Sequence, residues 1–351
     1  MDAGQVANDC YWRSKSNLGS TGPNVQNPWL DTADFDWTYS GDPQQDINFY
    51  NWNRFFFIYC DGTGHQGYIK EPMFLRDQDT YFRGTNNTIA HLNFVFSLLP
   101  PELTDTFVVN GCSAGGLATY TWLDTIADMI HAANPAAKVF GLPDSGFFID
   151  YPSHKTGVND YTNNIKAVVS LANQGVALPN AKCMADNGAT NPHFCLMAEH
   201  LIKYIQTPIV LEESLYDSWQ LQNILYIPCF AGGWDINKCS PDEMVEINKF
   251  RDRTAELLKA AYDAAPTNRS VWAPACPFHC FSRFGEVDDP GSAPWVVPGL
   301  STQTLGVVSH WLIYENLTGN FMDTVYWPDN QLCSGKSGSD NCPSGKQFLA
   351  Q

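Results

Sequence analysis

The sequence predicts an α/β fold: a mostly parallel central sheet with helices on both faces and long loops stapled by disulfides. Three observations carry that expectation. Short apolar runs alternate with helix-length amphipathic segments, which is the pattern of consecutive βα units. A Gly-x-Ser-x-Gly sequence, Gly111 to Gly115, stands between one such run and one such helix. Cysteines recur as close pairs within polar loops, Cys183/Cys195, Cys229/Cys239 and Cys333/Cys342, as expected of an oxidising compartment.

Taken in order, residues 1–52 are rich in Asn, Asp, Gly and Pro and read as an irregular N-terminal region. The apolar run 53–60, stopped by Asp61-Gly62, reads as a buried strand. Ile89, Leu92, Phe96 and Leu99 repeat at helical spacing, and Pro100-Pro101 ends that helix. Strands follow at 107–110, 138–142, 207–212 and 270–273, with a helix from Leu117 to Ala133 between the first two. Ser240-Pro-Asp-Glu243 is a capping box with Pro at the first helical position, opening a helix to about Ala265. A last helix is expected from Thr302 to Glu315, then an irregular tail over 321–351.

A length of 351 residues allows two domains or one large one at about 150 residues each. No repeat, low-complexity tract or linker divides the chain, so one domain over 1–351 is expected. Lys plus Arg number 20 against 37 Asp plus Glu, a formal net charge of −17. That sign opposes binding to nucleic acid, which requires clustered basic residues, and docking on an anionic membrane. No run reaches the roughly 18 to 20 apolar residues of a membrane span. Sequons at Asn86, Asn268 and Asn316 agree with secretion. The segment beginning Met1-Asp-Ala-Gly carries neither the basic nor the apolar region of a leader, so removal of a leader or truncation is expected. There are eleven cysteines, so at least one lacks a partner within the chain.

Phe107-Val-Val-Asn-Gly-Cys-Ser-Ala-Gly-Gly116 has the strand, sharp turn and helix of a nucleophile elbow. Flanking glycines let the backbone turn tightly and hold Ser113 at the strand tip, beside the positive end of the next helix. The amide of Ala114 is then one oxyanion donor, and the second donor is unknown. The plainer alternative is a strand–helix turn that only needs its glycines. An elbow also turns the residue before the serine into the sheet, so Cys112 is expected buried and free.

A serine nucleophile needs a base, and the base an orienting carboxylate, in the chain order Ser, Asp or Glu, His. Of eight histidines, His65 and His91 precede the serine, His131 ends the elbow helix, and His193 and His200 precede the fourth strand. His154 comes too early, and His310 lies within the last expected helix beside Trp311. His279, directly after the fifth strand in Cys276-Pro-Phe-His-Cys280, remains as the base. That cluster could bind a metal, but no other Cys/His group completes a site, so no metal or cofactor is expected. Asp217, after the fourth strand, is the favoured carboxylate. Asp144, after the third, is the alternative, with a plain turn role as its competing reading. Trp219 either lines the pocket and stacks on a sugar face or is ordinary core packing.

These stretches resemble the pectin acetylesterase/Notum family. The matching segments are Phe49-Tyr-Asn-Trp-Asn-Arg54, Tyr59-Cys-Asp-Gly62, Gly111-Cys-Ser-Ala-Gly-Gly116, Asp144-Ser-Gly-Phe-Phe148, Tyr216-Asp-Ser-Trp-Gln220 with Asn223-Ile-Leu225, and Cys276-Pro-Phe-His-Cys280. They occur in family order and are most similar to the plant branch. The resemblance implies a secreted α/β-hydrolase-like serine carboxylesterase with Ser113, His279 and Asp217 as nucleophile, base and acid. It also implies a Gly-Gly-x-Trp-Cys segment ahead of a second cysteine, supplying the rest of the oxyanion hole. Cys10 matches that second cysteine, but the residues before it do not match the glycine segment, so an upstream strand is expected to be missing. Gly4 and Gly62 are the available substitutes.

The expected reaction is removal of acyl groups, O-acetyl first, from pectin or another acetylated glycan by a cofactor-free monomer. Lipid-ester or acyl-protein hydrolysis is the second reading. A binding homologue with an impaired oxyanion hole is the third.

Overall fold

The computed structural model describes residues 3–16, 19, 49–173, 177–231, 233, 236–273, 275, 277, 279–280 and 320–322. Helix α1 (Ala3–Arg13) is followed by a small antiparallel hairpin, β1 (Met73–Leu75) and β2 (Gln78–Thr80), and by α2 (Gly84–Leu98). The elbow unit is β3 (Thr106–Cys112) running into α3 (Ala114–Ala133) and on to β4 (Lys138–Asp144). Next come α4 (Asp160–Ala172), α5 (Ala181–Asn187), α6 (Ala198–Leu201) and β5 (Ile209–Glu212). The chain continues through α7 (Ser218–Asn223), α8 (Pro241–Ala264), β6 (Arg269–Ala273) and β7 (Asn320–Met322).

Strands β3 to β7 form one parallel sheet in sequence order. Helical crossovers between β3 and β6 explain that order there, because parallel neighbours need a connection long enough to return to the starting edge. Register matters more for function. Cys112 pairs with Asp144, Asp144 with Glu212, and Glu212 with Trp272, so β3, β4 and β5 end in one row, level with the penultimate residue of β6. The next residues, Ser113, Ser145 and Glu213, continue the ladder through their amides to Asp144, Glu212 and Trp272 carbonyls at 2.9, 2.8 and 3.1 Å. The carboxyl end of a parallel sheet is where α/β folds place their sites, because the loops there are free to vary.

Helix α3 packs along β3 and β4, and α8 against β6. Its buried Tyr120, Leu123, Ile126, Ala127 and Ile130 repeat at intervals of three and four, one helical face laid on the sheet. Helix α8 starts as expected. The Ser240 hydroxyl accepts the Glu243 amide and the Glu243 carboxylate accepts the Ser240 amide, the reciprocal pair of a capping box. Cys183–Cys195 and Cys229–Cys239 are bridged, while Cys333 and Cys342 lie outside the described residues.

Three expectations are corrected. Residues 53–60 are not a strand: Phe55 and Phe56 are exposed, and Phe57 and Tyr59 pack on His91 and His65 instead of joining a ladder. Apolar periodicity reports burial of side chains, whereas a strand also requires a neighbour for its backbone. Within 1–52, the first residues form α1, where Val6 and Tyr11 are buried. Ala3, Val6, Ala7, Cys10 and Tyr11 recur at helical spacing, a pattern obscured by the polar residues between them. Residues 321 and 322 belong to β7 rather than to a tail. The expected helix 302–315 lies outside the described residues.

The elbow tolerates no side chain at Gly116, where a Cβ would lie 2.5 Å from the Asp144 carbonyl oxygen, whereas one at Gly115 meets nothing within 4 Å. Gly116→Ala is therefore expected to lower stability by about 1–3 kcal/mol. Gly115→Ala is expected to leave stability unchanged or raise it by up to ~1 kcal/mol through helix propensity. Chemical denaturation of the two variants checks the contrast.

Candidate active site

Ser113 adopts φ 60° and ψ −118°, a left-handed conformation rarely held by a residue with a side chain. Such strain persists only where the surroundings over-determine it. Here the Ser113 amide donates to the Asp144 carbonyl at 2.9 Å while its own carbonyl accepts the Leu117 amide at 2.9 Å. The turn is thus pinned to β4 on one side and to the first turn of α3 on the other. Ala114 is the first residue of α3, so its amide belongs to the group of helix-start donors that have no intrahelical acceptor.

Asp217 caps α7, its Oδ1 accepting the Gln220 amide at 2.8 Å, and its Oδ2 lies 2.7 Å from His279 Nδ1. Both residues are buried, Asp217 completely. A carboxylate can only accept, so Nδ1 carries the proton and Nε2 is left as the basic nitrogen. Nε2 is itself buried and hydrogen-bonds to no described residue. The His279 ring stacks near Trp219 and Phe148, with centroids at 6.0 and 6.4 Å, and Tyr161 closes the same aromatic cluster. Trp219 is half-buried and packs on Phe148 at 4.8 Å, so it is both core neighbour and wall beside the imidazole.

Asp144 does not orient the imidazole. Its carboxylate accepts the Ser145 hydroxyl at 2.8 Å, and the Ser145 oxygen in turn accepts the Cys280 amide at 2.8 Å. Asp144 and Ser145 therefore brace the loop that carries His279. The same loop is tied by a bond that corrects the expectation for Cys112. Cys112 is not free but bridged to Cys280, with Cα atoms 5.4 Å apart. The residue before the serine is joined to the residue after the histidine. Local elbow geometry placed the Cys112 side chain but could not reveal a partner 168 residues away. The matched offsets, one before Ser113 and one after His279, were the available signal.

Cys10 and Cys60 are the free thiols among the described residues. Burial pushes the Cys10 thiol up to about 11, which leaves it protonated and unreactive at neutral pH. Gly4 lies in the first turn of α1, and Gly62 (φ 73°) faces the Arg13 side chain, where a Cβ would come within 3.0 Å of Cδ. Neither is placed by these contacts beside Ser113. Asn86 and Asn268 are exposed, and Asn316 lies outside the described residues. Among the described residues no helix is long and apolar enough to cross a membrane.

Sheet, elbow and paired Asp/His together define an α/β-hydrolase-like protein, and comparison with known proteins narrows this further. The pectinacetylesterase family matches residues 3–334, so the chain belongs to that family. Pectin acetylesterase 5 of Arabidopsis thaliana is 30% identical over 251 residues, covering 69% of this chain and 55% of that protein. Pectin acetylesterase 7 of the same plant is 26% identical over 242 residues, covering 66% and 58%. The chain thus spans a little over half the length of these two relatives. The structure of the Wnt deacylase Notum from Drosophila superposes with a TM-score of 0.70 at 20% identity, covering 89% of this chain and 82% of that one. At that identity the likeness is one of fold.

Replacing both Cys112 and Cys280 by Ala releases the tether between elbow and histidine loop. The expected loss is about 2–5 kcal/mol of stability. Urea unfolding of the double variant, with the other two described bridges intact, measures it.

Proposed function

We propose that this chain is a secreted serine carboxylesterase that removes acyl groups, O-acetyl first, from an acetylated glycan such as pectin. The observation that carries the reading is the 2.7 Å contact of His279 Nδ1 with Asp217 Oδ2, tethered through Cys280 and Cys112 to the strained Ser113 turn. Family membership and the pectin acetylesterase relatives support the same chemistry. Disulfides and exposed sequon asparagines fit an oxidising, secretory route.

In this mechanism His279 Nε2 takes the proton of the Ser113 hydroxyl as Oγ attacks the ester carbonyl. Asp217 holds the imidazole in the tautomer that leaves Nε2 free to accept, then stabilises the imidazolium. The tetrahedral oxyanion forms beside the Ala114 amide at the start of α3, where a helix N-terminus favours negative charge. The imidazolium returns its proton to the departing alcohol, leaving an acyl-enzyme. Water, activated by the same nitrogen, releases the acid. Hydrogen bonds between a catalytic base and its nucleophile commonly tighten in the reacting complex.

Trp219, Phe148 and Tyr161 give the imidazole an aromatic flank that suits a sugar face. The same flank suits an acyl chain, which keeps a lipid-ester substrate as the second reading. Hydrolysis of p-nitrophenyl acetate, butyrate and octanoate decides between them. Turnover falling with chain length is expected, and a preference for octanoate would favour the lipid ester. Ser113→Ala is expected to abolish turnover, and Asp217→Asn to lower kcat by about 10⁴-fold through the wrong tautomer. Equal rates for wild type and Ser113→Ala would sink catalysis by this chain and leave a binding protein.

A further inference from the structure

The reaction as derived leaves one buried carboxyl beside the Asp–His pair without a role. Glu213 is the first residue past β5 and is fully buried. Its Oε2 accepts the Phe147 amide at 2.8 Å, and its Oε1 accepts Gln220 Nε2 at 3.2 Å. Gln220 joins it to Asp217: its side chain donates to Glu213 and its backbone amide donates to Asp217 Oδ1 at 2.8 Å, so the two buried carboxyls lie against each other. Two ionised carboxylates only accept and repel, so side by side out of water one of them holds a proton. Asp217 already uses one oxygen to accept the Gln220 amide and the other to accept His279 Nδ1. The proton therefore belongs to Glu213.

The groups facing Glu213 point the same way. They are Asp217 at the start of α7, Asp144 at the end of β4 and Tyr120 from α3. Burial, followed by the charge of Asp217, raises the Glu213 carboxyl well above the usual range, while the Phe147 amide opposes this. Two acids sharing one site behave in this way, one ionised and one kept neutral.

We propose that Glu213 is a positioning residue that shares its proton with Asp217, an inference that rests on the Ser113–His279–Asp217 reading. The Asp–Glu pair then carries one negative charge, matching the one positive charge His279 acquires on taking the Ser113 proton. The shared proton also completes the hold on Asp217, whose carboxylate is gripped by the Gln220 amide, His279 and Glu213. An ionised Glu213 would instead put a second, unmatched negative charge behind Asp217.

Glu213→Gln and Glu213→Ala test this. Glutamine keeps a donor toward Asp217 and an acceptor for the Phe147 amide, while Gln220 Nε2 retains its contact with the Phe147 carbonyl. The expected result is that Glu213→Ala loses roughly 10- to 100-fold in kcat with little change in KM, and that Glu213→Gln recovers most of it with the acid limb of kcat/KM unmoved. Wild-type kcat in Glu213→Ala, or an acid limb displaced in Glu213→Gln, would overturn the proposal.

A second readout does not depend on turnover. The folded pKa of Glu213 is raised above its unfolded value near 4.3, so the stability it contributes is present below that pH and lost as pH rises toward the folded value. Relative to Glu213→Gln, the wild-type folding constant is expected to fall as pH rises above the unfolded carboxyl range, by up to about tenfold per pH unit. Parallel curves would overturn the proposal by showing Glu213 ionised. If Ser113→Ala keeps turnover while that slope is present, the triad reading fails and the shared proton stands.

Discussion

Close approach of bare backbone at the top of β3, β4 and α3 is the constraint on which the site depends. A Cβ on Gly111 would lie 2.5 Å from the backbone of Gly115, and one on Gly116 would lie 2.5 Å from the Asp144 carbonyl oxygen. Only with hydrogen at those positions can the strand turn directly into the helix. Ser113 must take a positive φ as a result, and the Asp144 carbonyl that fixes its amide is the same atom that excludes a side chain from Gly116. The strain at the serine and the crowding at the glycines are one packing arrangement.

From that point the parallel register distributes roles along the row of strand ends. The residue after β3 carries the hydroxyl. The residue after β4, Ser145, links Asp144 to the backbone of the histidine loop. The residue after β5, Glu213, lies against the carboxylate that orients His279. Adjacent parallel strands present equivalent positions at the same level, so residues from distant parts of the chain meet with little loop structure of their own. The Cys112–Cys280 bridge closes this row across the mouth.

Charge is arranged differently at the site and over the molecule. Over the whole chain the formal net charge is −17, which governs encounter with charged partners. Inside, the acids Asp144, Glu213 and Asp217 are fully buried, each with hydrogen-bond donors around it. Beside them the aromatic rings of Phe148 and Trp219 flank His279. An apolar flank strengthens the Asp–His interaction by excluding water, and offers a flat surface to the bound group.

Much of this was legible in the chain itself. Glycine spacing around Ser113, apolar runs at the strands and the Ser240 capping box are local signals, read within a few residues of one another, and the chain order of Ser113, Asp217 and His279 adds an order along the sequence. They determined the elbow, the β3-to-β6 sequence of strands and the candidate nucleophile, acid and base. The tertiary structure decided what depends on distant partners. Residues 53–60 have strand-like side chains but no ladder, Cys112 has a partner far along the chain, and Asp144 braces a loop where Asp217 orients a ring. Glu213 reads in sequence as one more acid beside a strand end, and only its burial against Asp217 gives it a proton to hold. Local pattern records which backbone conformation a segment favours; charge state, pairing and orientation arise from neighbours that the sequence does not place side by side.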